Sequence, residues 1–138
     1  MVILLNSDSM YNPAHLLNLA EQARRNAYCK YSGFAVGAAL LTESGVIYTG
    51  CNIENSSYPV GICAERVTFG KAISDGHRKF KAIAIAGAPE QEQKTAFCPP
   101  CGMCRQFMSE FCEDDFEIIL SDKIYHIKEL LPVSFGLK

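Results

Sequence analysis

The sequence predicts an α/β domain in which a mixed sheet is covered by helices on both faces. Three observations predict it. The elements legible from hydrophobic periodicity run helix, hairpin, helix, strand, helix, strand. Strands separated by a helix return parallel through right-handed crossovers. The 138 residues suffice for one domain with a real core.

Residues 1–10 are expected to form a flexible tail. Asn12-Pro13 reads as a helix start, with Asn at the N-cap and Pro at the first helical position. Leu16, Leu19, Ala20, Ala23 and Ala27 recur at helical spacing, so this helix is expected to run to about Tyr28, before the turn at Gly33. Phe34 to Leu41 and Val46 to Cys51 are strands, and the Glu43-Ser44-Gly45 link makes them a hairpin. Asn52 to Gly61 is polar loop. Cys63 to about Ser74 is a helix closed by Asp75-Gly76. Phe80 to Ala86 is a third strand, Ala88 to Pro100 a loop, and Gly102 to about Cys112 a helix. Glu117 to Leu120 is a fourth strand, Ile124 to Ile127 is either a fifth short strand or part of the final turn, and Pro132 stops a last helical turn at Lys128 to Leu131.

Composition excludes several classes. Formal net charge is -2, and the basic runs Arg24-Arg25 and His77-Arg78-Lys79 are short, isolated and read as solvated ends of helices, so no nucleic-acid partner is expected. No segment approaches membrane-spanning length, and the apolar run Val2 to Leu5 is too short for a secretory leader. Seven cysteines, an odd count, fit a reducing cytoplasm in which they stay thiols or metal ligands.

Two motifs carry chemistry: Cys63-Ala64-Glu65-Arg66 and Pro100-Cys101-Gly102-Met103-Cys104. Cys101 and Cys104 fall on the first turn of one helix and Cys63 at the start of another. Both helix N-termini are expected side by side at one edge of the sheet. Three thiolates leave a tetrahedral zinc one open position, the catalytic arrangement. A Cys-x-x-Cys pair alone would equally suit a redox dithiol or a structural zinc knuckle. Glu65, two residues past Cys63, turns the reading toward zinc nucleobase deaminases, in which a non-ligating Glu shuttles protons for a zinc-activated water. Three thiolates give the site excess negative charge. Two helix N-termini and a cation restore the balance, and at least one of Arg66 and Arg105 is expected to donate hydrogen bonds to the bound thiolates from the shell around the metal. His15, His77 and His126 lie outside every motif. Cys29, Cys51 and Cys112 are expected as partly buried thiols.

At these residues the sequence resembles the small homotetrameric cytidine deaminases, within the cytidine/deoxycytidylate deaminase family. The likeness runs from Tyr28 to Gly136. It rests on Tyr31 to Leu40 (YSGFAVGAAL), Gly50 to Pro59 (GCNIENSSYP), Cys63 to Arg66, Pro100 to Gln106 (PCGMCRQ) and Leu130 to Gly136 (LLPVSFG). The resemblance implies a three-layer α/β/α sandwich around a five-stranded mixed sheet. It implies one deaminase domain over residues 1–138 and one zinc ion per chain on Cys63, Cys101 and Cys104. Glu65 would be the catalytic proton shuttle. The Ala64 backbone N–H and Glu65 would contact the base edge, and Phe34 would pack on the pyrimidine. Asn52 and Glu54 would hold the ribose 3′ hydroxyl, while Phe135 and Tyr58 would reach a neighbouring subunit's site. The implied activity is deamination of cytidine and 2′-deoxycytidine in pyrimidine salvage. Rival readings are a deaminase for another cytosine compound, an editor of cytosine in nucleic acid, and a non-catalytic zinc or redox module. Cys98 departs from the family pattern and could add a fourth sulfur that closes the site.

Overall fold

A computed structural model describes residues 2–4 and 11–137. The strands are β1 (Val2–Leu4), β2 (Phe34–Thr42), β3 (Val46–Cys51), β4 (Phe80–Pro89), β5 (Glu117–Ile119) and β6 (Ile124–His126). The helices are α1 (Pro13–Ala23), α2 (Ala64–Ser74), α3 (Gly102–Phe111) and the single turn α4 (Ile127–Leu130). One mixed sheet has the order β1-β3-β2-β4-β5-β6. Only β4 and β5 pair in parallel. Because β2 opposes both its neighbours, β3 runs the same way as β4, as the helix-separated order requires.

All five expected strands are present, as β2 through β6. The sixth, β1, pairs with Val46–Tyr48 of β3, so residues 2–4 form an edge strand where a tail is expected. The partner is an open strand edge distant in sequence, which no local pattern announces. The other residues of 1–10 lie outside the described residues.

α1 begins as expected: Asn12 Oδ1 accepts from the Ala14 N–H at 2.9 Å, and Pro13 opens the helix. It ends earlier than its apolar spacing suggests, passing into a 3₁₀ turn over Arg24–Asn26. Tyr28 is already committed elsewhere. Its N–H donates to Asn52 O at 3.0 Å, and its carbonyl accepts from the Glu54 N–H at 2.8 Å. A backbone paired to residues 52–54 cannot also continue a helix.

Alternate residues of β2 and β4 serve opposite faces. Ala39, Leu41, Ala82, Ala84 and Ala86 pack with Leu16, Leu19 and Ala20 of α1. Ala38, Leu40, Ile83 and Ile85 pack with Phe69 and Ala72 of α2 and Met108 of α3. Both faces of the central strands are therefore buried. No helix among the described residues is long and apolar enough to cross a membrane.

α1 sits against β2 at Gly37. A Cβ there would lie 2.1 Å from Ala20 O and 2.7 Å from Arg24 N. Both neighbours are backbone, so neither yields cheaply. Gly37→Ala is expected to destabilise by about 3 kcal/mol, the upper end of core overpacking. Thermal unfolding followed by circular dichroism checks this, and an unchanged midpoint would contradict it.

Candidate active site

α2 and α3 begin at the C-terminal ends of β3 and β4, which flank β2. The two helix starts therefore meet at the end of the sheet's central strands, not at its lateral edge. Position follows from topology: in open α/β sheets, sites form where strand ends diverge into helices. α2 buries Ala64, Glu65, Thr68, Phe69 and Ala72, a helical stripe that turns Glu65 inward.

Cys63 and Cys101 are the N-caps of α2 and α3. Both have extended backbones, and neither makes a side-chain cap bond. Cys104 follows on the first turn of α3 and is fully buried. The three sulfurs lie within 4.8 Å of one another, with Cys63 Sγ and Cys101 Sγ 3.8 Å apart. Zinc–sulfur bonds of about 2.3 Å in a tetrahedron place sulfurs about 3.8 Å apart, so the donor set fits zinc.

Charge supports the same assignment. The hydrogen bond from Cys104, helped by Arg66 and Cys101, draws the Cys63 thiol well below its ordinary value, to about 5. The Cys104 thiol moves the other way, because it donates in that pair and is buried. The Cys63 and Cys104 thiols raise the pKa of Arg66, against the effect of its burial. Its Nε is buried and has no hydrogen-bond partner, and no ion pair joins Arg66 to a carboxylate among the described residues. Arg105, the second candidate cation, turns elsewhere. Its Nε donates to Pro100 O at 2.8 Å and its Nη1 to Leu130 O at 2.7 Å. It braces the segment that carries Cys101 instead of facing the thiols, because two unpaired carbonyls lie within its reach.

Glu65 is 5 % exposed and lies outside the sulfur cluster. Burial lifts its carboxyl to about 7, and the charge on Cys63 adds to the rise. A carboxyl held near neutrality can both accept and release a proton.

Cys98 also lies outside the cluster. It fills the space above Gly87, where a Cβ would meet Cys98 Sγ at 2.4 Å and the Phe34 ring at 3.0 Å. Burial, then Glu65, push its thiol up to about 11. Cys98→Ser is expected to keep one zinc per chain by elemental analysis. Loss of metal would make Cys98 a ligand.

The remaining predicted residues divide. Phe34 stands at the start of β2 beside Cys98 and Gly87. Ala64 is the first residue of α2. Asn52 Oδ1 accepts from the Val36 N–H and its Nδ2 donates to Phe34 O, both at 2.9 Å, so this side chain binds the start of β2. Glu54 accepts from the N–H groups of Tyr31 and Ser32, each at 3.0 Å, and from the Ser32 hydroxyl. Tyr58 packs edge-on against Tyr31 with ring centroids 6.2 Å apart, and it is 77 % exposed. Phe135 is held only by its backbone, which exchanges hydrogen bonds with Gln106, and its ring is 70 % exposed. Tyr31, Ser32, Asn55 and Gly61 complete a groove of about 320 Å³ with Glu54 and Tyr58. Sequence reasoning assigned those four residues no role, although all but Gly61 lie inside the segments that carry the family likeness.

Three clustered thiols on two helix N-termini, with a buried carboxyl beside them, define a zinc-dependent deaminase centre. Over residues 10–119 the chain matches the family described as the cytidine and deoxycytidylate deaminase zinc-binding region, and it belongs to that family. It is 46 % identical to a cytidine deaminase of Sporosarcina psychrophila, covering 88 % of this chain and 89 % of that one. A cytidine deaminase of Halalkalibacterium halodurans is 42 % identical, covering 87 % and 91 %. The crystal structure of cytidine deaminase from Mycobacterium tuberculosis superposes with a TM-score of 0.82 at 35 % identity, covering 93 % of this chain and all of that one.

Proposed function

We propose that this chain hydrolyses cytidine and 2′-deoxycytidine to uridine and 2′-deoxyuridine, with release of ammonia. The observation that carries the reading is the sulfur triangle of zinc dimensions with a buried, non-ligating carboxyl two residues beyond Cys63. Relatives of this length bearing the cytidine deaminase name support the substrate.

Cys63, Cys101 and Cys104 hold one zinc per chain. When bound there, zinc supplies the Lewis acidity that makes water a nucleophile near neutral pH. Glu65 carries the protons: it delivers one to the pyrimidine N3 and another to the departing exocyclic amine, as water adds at C4 and ammonia leaves. The Ala64 N–H and Glu65 read the base edge, and Phe34 packs on the ring. Asn52 and Glu54 hold the 3′ hydroxyl of the sugar. Arg66 offsets the negative charge of the thiolates.

As the family resemblance implies, the assembly is a homotetramer with sites near its interfaces, and the exposed side chains of Phe135 and Tyr58 suit contact with a neighbouring subunit. Its place is the cytoplasm, in pyrimidine salvage, with no nucleic-acid or membrane partner. Sedimentation showing only monomer would overturn the assembly. The function is tested by measuring ammonia release from both nucleosides on protein carrying one zinc per chain. Zinc-loaded protein that leaves both untouched would overturn the function.

A further inference from the structure

Glu54 is fixed by three donors from one short turn. The Tyr31 and Ser32 N–H groups converge on Oε1, each at 3.0 Å, and the Ser32 hydroxyl bonds Oε2. Two donors on a single oxygen leave a carboxylate free to pivot about that oxygen. The Ser32 hydroxyl removes the pivot by holding the other. The same hydroxyl accepts from the Phe34 N–H at 3.0 Å. One oxygen atom therefore links Glu54 to the strand start that carries Phe34. Gly33, at φ +69°, makes the turn possible, and its N–H donates to Cys29 O at 2.7 Å. The Ser32 hydroxyl is also the leading cause of the low pKa of Glu54, which keeps that carboxylate an acceptor. Each carboxylate oxygen has two lone-pair sites, so Oε2 keeps one for a substrate hydroxyl. Ser32 and Glu54 both line the 320 Å³ groove with Tyr31 and Tyr58.

The geometry points to Ser32 as a positioning residue for sugar recognition: its hydroxyl sets the angle at which Glu54 meets the nucleoside 3′ hydroxyl. This rests on the reading of Glu54 as a sugar ligand. The alternative is that Ser32 serves only to shape the turn through its bond to the Phe34 N–H. The two roles separate by substrate. Turn shaping affects every nucleoside, whereas orienting Glu54 affects only those with a 3′ hydroxyl.

The test compares cytidine with 3′-deoxycytidine on the full chain carrying zinc, as wild type, Ser32→Ala and Ser32→Thr. Wild type is expected to favour cytidine through KM. Ser32→Ala is expected to raise the KM for cytidine about tenfold, the effect of one charge-assisted hydrogen bond, with kcat within about twofold. Its KM for 3′-deoxycytidine is expected to stay at the wild-type value, and Ser32→Thr to restore the discrimination. A loss in Ser32→Ala that is equal for the two nucleosides would overturn the proposal, and so would an unchanged ratio. Wild type that treats the two nucleosides alike would overturn the sugar reading of Glu54 itself. That result is read before any substitution is made.

Discussion

Glu65→Gln is expected to lower ammonia release from cytidine by about 10²- to 10⁴-fold, the range for loss of a positioned proton carrier, while zinc stays at one per chain. The substitution keeps the shape of the side chain. Its amide cannot take a proton and hand it on. The metal is expected to stay because Glu65 lies outside the sulfur triangle. Folding is expected to hold as well. Glu65 is 5 % exposed, and a neutral amide in a buried position avoids the cost of burying charge. The measurement pairs elemental analysis with ammonia release. Zinc lost together with activity would make Glu65 a ligand. A fall of less than tenfold with zinc intact would remove it as the proton carrier.

Arg24→Met is expected to destabilise the fold by about 3–5 kcal/mol, as when one partner of a buried ionic network is removed. Arg24 is 5 % exposed, and its guanidinium is spread over four segments. Nε donates to Ala35 O at 3.0 Å. Nη2 reaches Ala88 O and Pro89 O at 3.2 Å and Glu92 O at 3.3 Å. Nη1 pairs with the Glu21 carboxylate. Methionine fills much of the volume but removes the guanidinium donor from the buried Ala35 and Ala88 carbonyls and leaves the Glu21 carboxylate without its partner, at roughly 1–3 kcal/mol for each buried group left unsatisfied. Against a total stability of about 5–15 kcal/mol, this is a large share. Arg24→Lys keeps the charge but not the planar fork, and is expected to recover only part of the loss. The chain has no tryptophan, so urea unfolding is best followed by circular dichroism at fixed chain concentration. A loss under about 1 kcal/mol for Arg24→Met would show that water replaces the guanidinium.

Much of the fold was legible because its signals are local. Asn12-Pro13 caps α1 whatever lies around it, and the turn at Gly45 closes the β2–β3 hairpin through a Gly45 N–H to Thr42 O bond. The alternation of small and branched residues along β2 and β4 suits strands buried on both faces. The misses share a different cause. α1 stops at Ala23 because Tyr28 pairs with residues 52–54, and β4 extends to Pro89 because Phe34 lies opposite it. Val2–Leu4 becomes a strand because β3 offers an edge. Each outcome depends on a partner remote in sequence.

The same division runs through the site. Cys63, Glu65, Cys101 and Cys104 were identifiable by their match to the zinc deaminase pattern, and Cys101 and Cys104, one helical turn apart, converge in any helix that starts there. The sequence by itself determined which three thiols cluster and which carboxyl is buried near them. It did not determine where the long cations go. Arg66 and Arg105 follow the zinc motifs in the same way, yet one turns to the sulfurs and the other to Pro100 and Leu130. Arg24 lies in a short basic run that reads as solvated, yet it is buried. Only the tertiary structure decided these directions, and the orientation of Glu54 with them. A flexible side chain settles where backbone donors and acceptors remain unpaired, and those groups are known only after sheet, loops and helices have assembled.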